Sequence, residues 1–159
     1  SYYITSGSIA PTFLCGIALI IQWFEETLCE AMSLYILKLS SLRWHECALS
    51  HINPNYSTSL IDYFKNIYNK TVPSLLKECR SLDDLRNIES TCREQRIFRS
   101  MERNFLVDAF CEYPESISSF VYYTLYMRGD LQIDFEKWKE HSSAPLIPKL
   151  EFIQPKYVS

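Results

Sequence analysis

The chain has only three glycines, no C-x-x-C pair among its six cysteines and no histidine before His45. Each scarcity excludes something. So few glycines leave a turn-rich β-sandwich or barrel without its turns. Without C-x-x-C, zinc-ribbon and thioredoxin-like readings fail. Positive charge is not in excess either. The net charge is −3 and the basic residues are scattered, which gives no footprint for nucleic acid. Lys137 and Lys139 beside Trp138 are too few for a membrane-surface helix. The most apolar stretch, residues 9–24, is shorter than the about 20 residues that a bilayer span needs. Glu25 and Glu26 close it, and it lacks the basic flank of a signal peptide. There is no G-x-S-x-G, phosphate loop or dinucleotide fingerprint. Internal repeats and low-complexity segments are absent as well.

What is present is a globular composition: 47% hydrophobic, 14% aromatic and 22% charged over 159 residues. That length fits one domain with a real core. Helical patterns joined by short connections, with no clear set of strands, predict a mainly α fold. The expectation is a single helical domain over residues 1–159, built on a long buried central helix and a second long amphipathic one.

The central helix is read over residues 22–39. Phe24, Leu28, Met32, Tyr35 and Leu39 form one apolar stripe at 3.6 residues per turn. Trp23, Leu34 and Leu37 lie on the other side, so the helix reads as apolar nearly all round and therefore as buried. Residues 12–21 before it are a buried strand or the first turns of the same helix.

A second helix is expected over residues 60–69, capped by Ser57 or Thr58, with Leu60, Phe64, Ile67 and Tyr68 facing inward. Pro73 suits the first turn of a helix over 74–80, and 82–89 add a further turn or two. Residues 91–111 read as the second long helix. Ile97, Met101, Phe105, Leu106, Phe110 and Cys111 give its apolar side; Arg93, Arg96, Arg99 and Arg103, with Glu94 and Glu102, give its wet side. Residues 116–127 read as an aromatic-rich buried helix and 134–141 as a short amphipathic helix built on Phe135 and Trp138. Residues 1–11 read as frayed and Arg128-Gly129-Asp130 as a turn with a helix C-cap glycine. Pro145, Pro148 and Pro155 give an extended tail. The cysteines read as reduced thiols, with Cys29 and Cys111 as small core residues and Cys79–Cys92 as the one pair to check.

The three histidines are His45, His51 and His141. His45-Glu46 invites comparison with the metalloprotease signature H-E-x-x-H, which needs histidines at i and i+4. His51 lies six residues on, so the match fails, and both read as solvated loop residues. The acids of the central helix are the sharper signal. Glu26 and Glu30 are one turn apart on a shared face, and no Lys or Arg follows either at i+4. A carboxylate in apolar surroundings stays ionised only beside a cation, a metal or good hydrogen bonds.

Here a resemblance enters. Residues 23–34, Trp23-Phe24-Glu25-Glu26-Thr27-Leu28-Cys29-Glu30-Ala31-Met32-Ser33-Leu34, resemble the WFEE-x-L-CE-x-x-S-L helix of an uncharacterised bacterial family of gluzincin-like zinc metallopeptidases. Asn53-Pro54-Asn55-Tyr56, the stretch from Arg93-Glu94 to Pro114-Glu115, and Phe135 to Trp138 are similar to its later segments. The resemblance implies that Glu26 is the third zinc ligand. It also implies that Glu30, one turn behind, orients a zinc-binding histidine.

The family's H-E-x-x-H should lie upstream of Trp23, and this sequence has none there. The chain is thus expected to be the C-terminal part of a larger gluzincin-like domain, a reading that Ser1 in place of Met favours. It is expected to be inactive as it stands, with zinc held only once an upstream H-E-x-x-H completes the site. In the intact enzyme the partner would be a peptide or protein substrate; nucleic acid and membrane are not expected. The alternative is a non-catalytic helical interaction or structural domain. In that case Glu26 and Glu30 pair with arginines such as Arg93 or Arg96, or face solvent, and Tyr122, Tyr123 and Tyr126 offer an aromatic surface.

Overall fold

In the computed structural model, residues 12–126 and 133–142 are described, with side chains from Trp23 onward except at positions 93 and 124. The expectations for residues 1–11, the Arg128-Gly129-Asp130 turn and the proline-bearing tail lie outside the described residues. The described residues are mainly α-helical, as the sequence predicts, and form no strand.

Residues 12–21 are the first turns of the central helix, α1 (Thr12–Leu42). Its buried seam is Phe24, Thr27, Ala31 and Leu34, at spacings of three and four. Leu28, Met32 and Tyr35 flank that seam and are partly buried. The expectation of burial all round is corrected: Ile36, Leu39 and Leu42 are exposed. Small residues at 27 and 31 let neighbouring elements approach the helix closely. The Thr27 hydroxyl donates to the Trp23 carbonyl at 2.7 Å, so this buried polar group is satisfied within its own helix.

Helix α2 (Tyr56–Tyr68) folds back along α1. The rings of Trp44 and Tyr56 stand 5.0 Å apart, and further along Lys38 Nζ lies 5.6 Å from the centre of the Phe64 ring. The two helices are therefore antiparallel. Trp44 Nε1 donates to the Asn53 carbonyl at 2.8 Å and closes the loop between them. The helix begins four residues earlier than expected, after Asn55, and neither Ser57 nor Thr58 caps it. Phe64 is buried, and Ile67 and Tyr68 pack on the core.

A 3-10 turn, Leu75–Lys77, stands where a helix over 74–80 was expected. Helix α3 (Leu82–Glu94) comes next, its first turn closed by Ser81 Oγ, which accepts from the Asp84 N–H at 3.1 Å. The second long helix is corrected. It breaks at Gln95 (φ −126°, ψ 90°), passes through a 3-10 turn, Arg96–Arg99, and resumes as α4 (Ser100–Glu112). The break re-aims α4. Arg99, Ser100, Glu102 and Arg103, expected on the wet side or left unassigned, are buried together with Leu106, Val107 and Phe110.

Residues expected as an α-helix over 116–127 wind instead as a 3-10 helix, Pro114–Tyr126. At three residues per turn Phe120, Tyr123 and Tyr126 stack on one side. Phe120 and Tyr123 are buried, while Val121, Tyr122 and Leu125 face out. Of the three tyrosines considered as a contact surface, Tyr122 alone is counted among the exposed side chains. Helix α5 (Phe135–His141) matches its expectation: Phe135 and Trp138 are buried, and Asp134 accepts from the Lys137 N–H at 3.0 Å. The cysteine reading holds for Cys79 and Cys92, which are buried and free, and fails for Cys29 and Cys111, which are free but exposed.

Candidate functional site

The site grows from the way α1 and α4 lie together. Glu26 meets Arg99, Glu30 meets Arg103, and Lys38 meets Cys111, each pair offset by 73 residues. A constant offset means that the two segments run side by side in the same direction. The i, i+4 spacing of the two acids on α1 is thus answered by an i, i+4 spacing of two arginines opposite.

Arg99 Nη1 donates to Glu26 Oε2 at 2.7 Å, and Arg99 Nη2 lies 3.7 Å from Glu30 Oε2. Arg103 Nη1 donates to Glu30 Oε1 at 3.2 Å. The arginine side chains are 2% and 3% exposed; the acids keep more water, at 38% for Glu26 and 21% for Glu30. Two cations face two anions, each at the wet edge of an apolar seam. Arg103 reaches further. Its Nη2 donates to the Ile67 carbonyl at 3.0 Å and to Asn104 Oδ1 at 2.9 Å. A guanidinium at the carbonyl end of α2 is favoured there by the helix dipole as well. One residue therefore ties α1, α2 and α4 together.

Glu25 is satisfied differently. Its Oε1 accepts from the Tyr123 hydroxyl, so the third acid of the helix is bound to the 3-10 helix. Burial, with this hydrogen bond, pushes the Tyr123 hydroxyl well above its ordinary range.

A cleft of about 520 Å³ opens beside the pair. Glu26, Cys29, Glu30, Ser33, Tyr63, Arg96 and Arg99 line it, with Leu34, Leu37 and Ile67 as its apolar wall. The structure thus brings the two predicted residues, Glu26 and Glu30, to one recess. It also supplies partners that sequence reasoning missed. Arg93 and Arg96 were named as candidate cations; the side chain of Arg93 lies outside the described residues, and Arg96 is an exposed lining residue of the cleft. The signal for Arg99 and Arg103 was their matching i, i+4 spacing, read as a solvent face instead. His45 and His51 are exposed, and neither lines this recess.

The fit to zinc can be tested on these residues. Glu26 already spends one oxygen on a guanidinium. Among the described residues no cluster of three His, Cys, Asp or Glu side chains is placed to hold a metal ion. A single paired carboxylate does not make a zinc site, which takes three or four ligands. No helix among the described residues is long and apolar enough to cross a membrane. Comparison with family models, with curated proteins and with solved structures finds no match.

Proposed function

We infer that this chain is a non-catalytic helical domain, structural or contact-making, in which Glu26 and Glu30 fasten α1 to α4. One observation carries the reading: buried Arg99 and Arg103 meet the two acids at 2.7 and 3.2 Å. The charge that would otherwise call for a metal is supplied from within the chain. A role in contacts draws support from the large apolar side chains left on the surface, among them Leu42, Leu49 and Ile52, the last 82% exposed.

The test is a double-mutant cycle on Glu26→Gln and Arg99→Met, read by urea denaturation. Glu26 is partly solvated, so the expected coupling is about 1–2 kcal/mol rather than the larger figure of a fully buried pair. Additive effects, with Glu26→Gln costing nothing measurable, would overturn this reading.

The second reading keeps the gluzincin-like resemblance. The cleft beside Glu26 and Glu30 supports it, since a helix bearing H-E-x-x-H would need a recess at those acids. In that reading Glu26 becomes a zinc ligand in a longer protein and Arg99 must swing away from it. Isothermal titration of zinc into this chain joined to an upstream H-E-x-x-H segment is the check. Loss of tight binding on Glu26→Gln is the expected result, and unchanged binding would sink the idea.

A further inference from the structure

Four side-chain hydrogen bonds near the start of α4 hold the connection that leaves α2. Ser100 Oγ accepts from the Val72 N–H at 3.0 Å, and Asn104 Nδ2 donates to the Tyr68 carbonyl at 2.7 Å. Arg103 Nη2 donates to the carbonyl of Ile67, and the Ser74 hydroxyl donates to Glu102 Oε1. Three of these grips are ordinary. The fourth is not, because Glu102 is a carboxyl group only 1% exposed. Its second oxygen, Oε2, finds no hydrogen-bond partner, and among the described residues it enters no ion pair. One neutral hydroxyl and the residue's own backbone N–H do not replace the hydration of a carboxylate. The neutral carboxylic acid costs much less to bury there than the anion.

We propose that Glu102 is a protonated latch, which holds residues 69–74 against α4 and releases them when it loses its proton. The charged and titratable groups around it can be named. Lys77, on the 3-10 turn before α3, is the cation whose field favours ionisation. Cys92 on α3 feels Glu102, Arg99 and Glu89 together, so all four share one neighbourhood. Burial is the dominant influence on Glu102 and raises its proton affinity, against the weaker pull of the Ser74 hydroxyl, its own backbone N–H and Lys77. Burial likewise pushes the Cys92 thiol up to about 11, so that group stays neutral and adds no competing charge.

Proton linkage fixes the sign. The closed state keeps a proton that the opened state gives up above the ordinary glutamate value of 4.5. From there upward the opened state binds fewer protons, and rising pH favours opening. The latch is intact in acid and weakens toward the alkaline side until the buried group itself ionises. The consequence reaches Glu30, because Arg103 donates to the Lys70 carbonyl of that connection at 3.4 Å as well as to that acid.

Two measurements on the whole chain test this. Carbon-detected NMR of the assigned Glu102 carboxyl should show a midpoint raised above pH 4.5; a midpoint at the ordinary glutamate value overturns the proposal. Amide hydrogen exchange at residues 69–77, corrected for the intrinsic pH dependence, gives the opening constant. It should rise with pH across that window, with about tenfold per pH unit as the limit set by one proton released per opening. Glu102→Gln, which keeps the acceptor for Ser74 and cannot ionise, should make the constant independent of pH. A flat profile in the unmodified chain, or an unchanged slope in Glu102→Gln, would refute the latch. Should the Gln variant fail to fold, the carboxyl midpoint in the unmodified chain still settles the matter.

Discussion

Two regions hold α1 in place, by different physics. Along its middle, Glu26 and Glu30 meet Arg99 and Arg103 at the edge of the cleft. Around Phe24 the helix packs instead into an aromatic cluster whose hub is Phe120. That ring lies 6.3 Å from Phe24, 5.5 Å from Phe110 and 5.5 Å from Trp138. The Phe110 and Trp138 contacts are edge-on, which suits the quadrupoles of the rings. The aromatic region gains from area removed from water and is indifferent to the identity of the partner. The charged region gains little in net terms but requires each guanidinium to meet a carboxylate, because an unmatched buried guanidinium is costly. The first is thus expected to supply stability and the second to set the register between α1 and α4.

The largest effect should come from the aromatic side. Trp138 is 1% exposed and stacks on Tyr126 and Phe135 at 5.9 and 6.2 Å. Trp138→Ala should cost about 4 kcal/mol in urea denaturation, whereas a loss near ~1 kcal/mol would mean that this end contributes little. Arg103→Met ranks next at about 3 kcal/mol, since it leaves Glu30 with only the longer Arg99 contact and unties the end of α2. The comparison sharpens if Glu30→Leu is added to Arg103→Met. A neutral pair should recover part of that loss, as expected when an under-compensated charge rather than lost packing is the cause. If the double variant is worse than Arg103→Met alone, register is not what the charges provide. The smallest effect is local. Ser81→Ala removes the cap of α3 and should cost about 1 kcal/mol, seen as a modest drop in Tm, without altering the α1–α4 seam.

Much of the helical content was legible. Phe24, Phe64, Phe110, Phe135 and Trp138, all named as inward-facing, are buried. Ser81, by contrast, was not singled out as a cap. The errors cluster where no local residue announces the event. No proline or glycine lies between Thr91 and Cys111, yet the helix breaks at Gln95. Continuous helical periodicity then assigned Arg99, Glu102 and Arg103 to solvent, when the break turns them inward. The same blindness hid the partners of Glu26 and Glu30. Helical spacing shows that two acids share a face, but not what another helix brings to it.

By itself the sequence determined that the chain is helical, that α1 is its axis, and that Glu26 and Glu30 need a cation. These rest on short-range rules: a period of 3.6, the scarcity of glycine, and the cost of a carboxylate in apolar surroundings. Only the tertiary structure decided that the cations are Arg99 and Arg103, that a cleft lies beside them, and that Glu102 is buried against Ser74. Those outcomes depend on the relative rotation of α1 and α4, which is fixed by packing between residues 73 positions apart, and no local pattern encodes it.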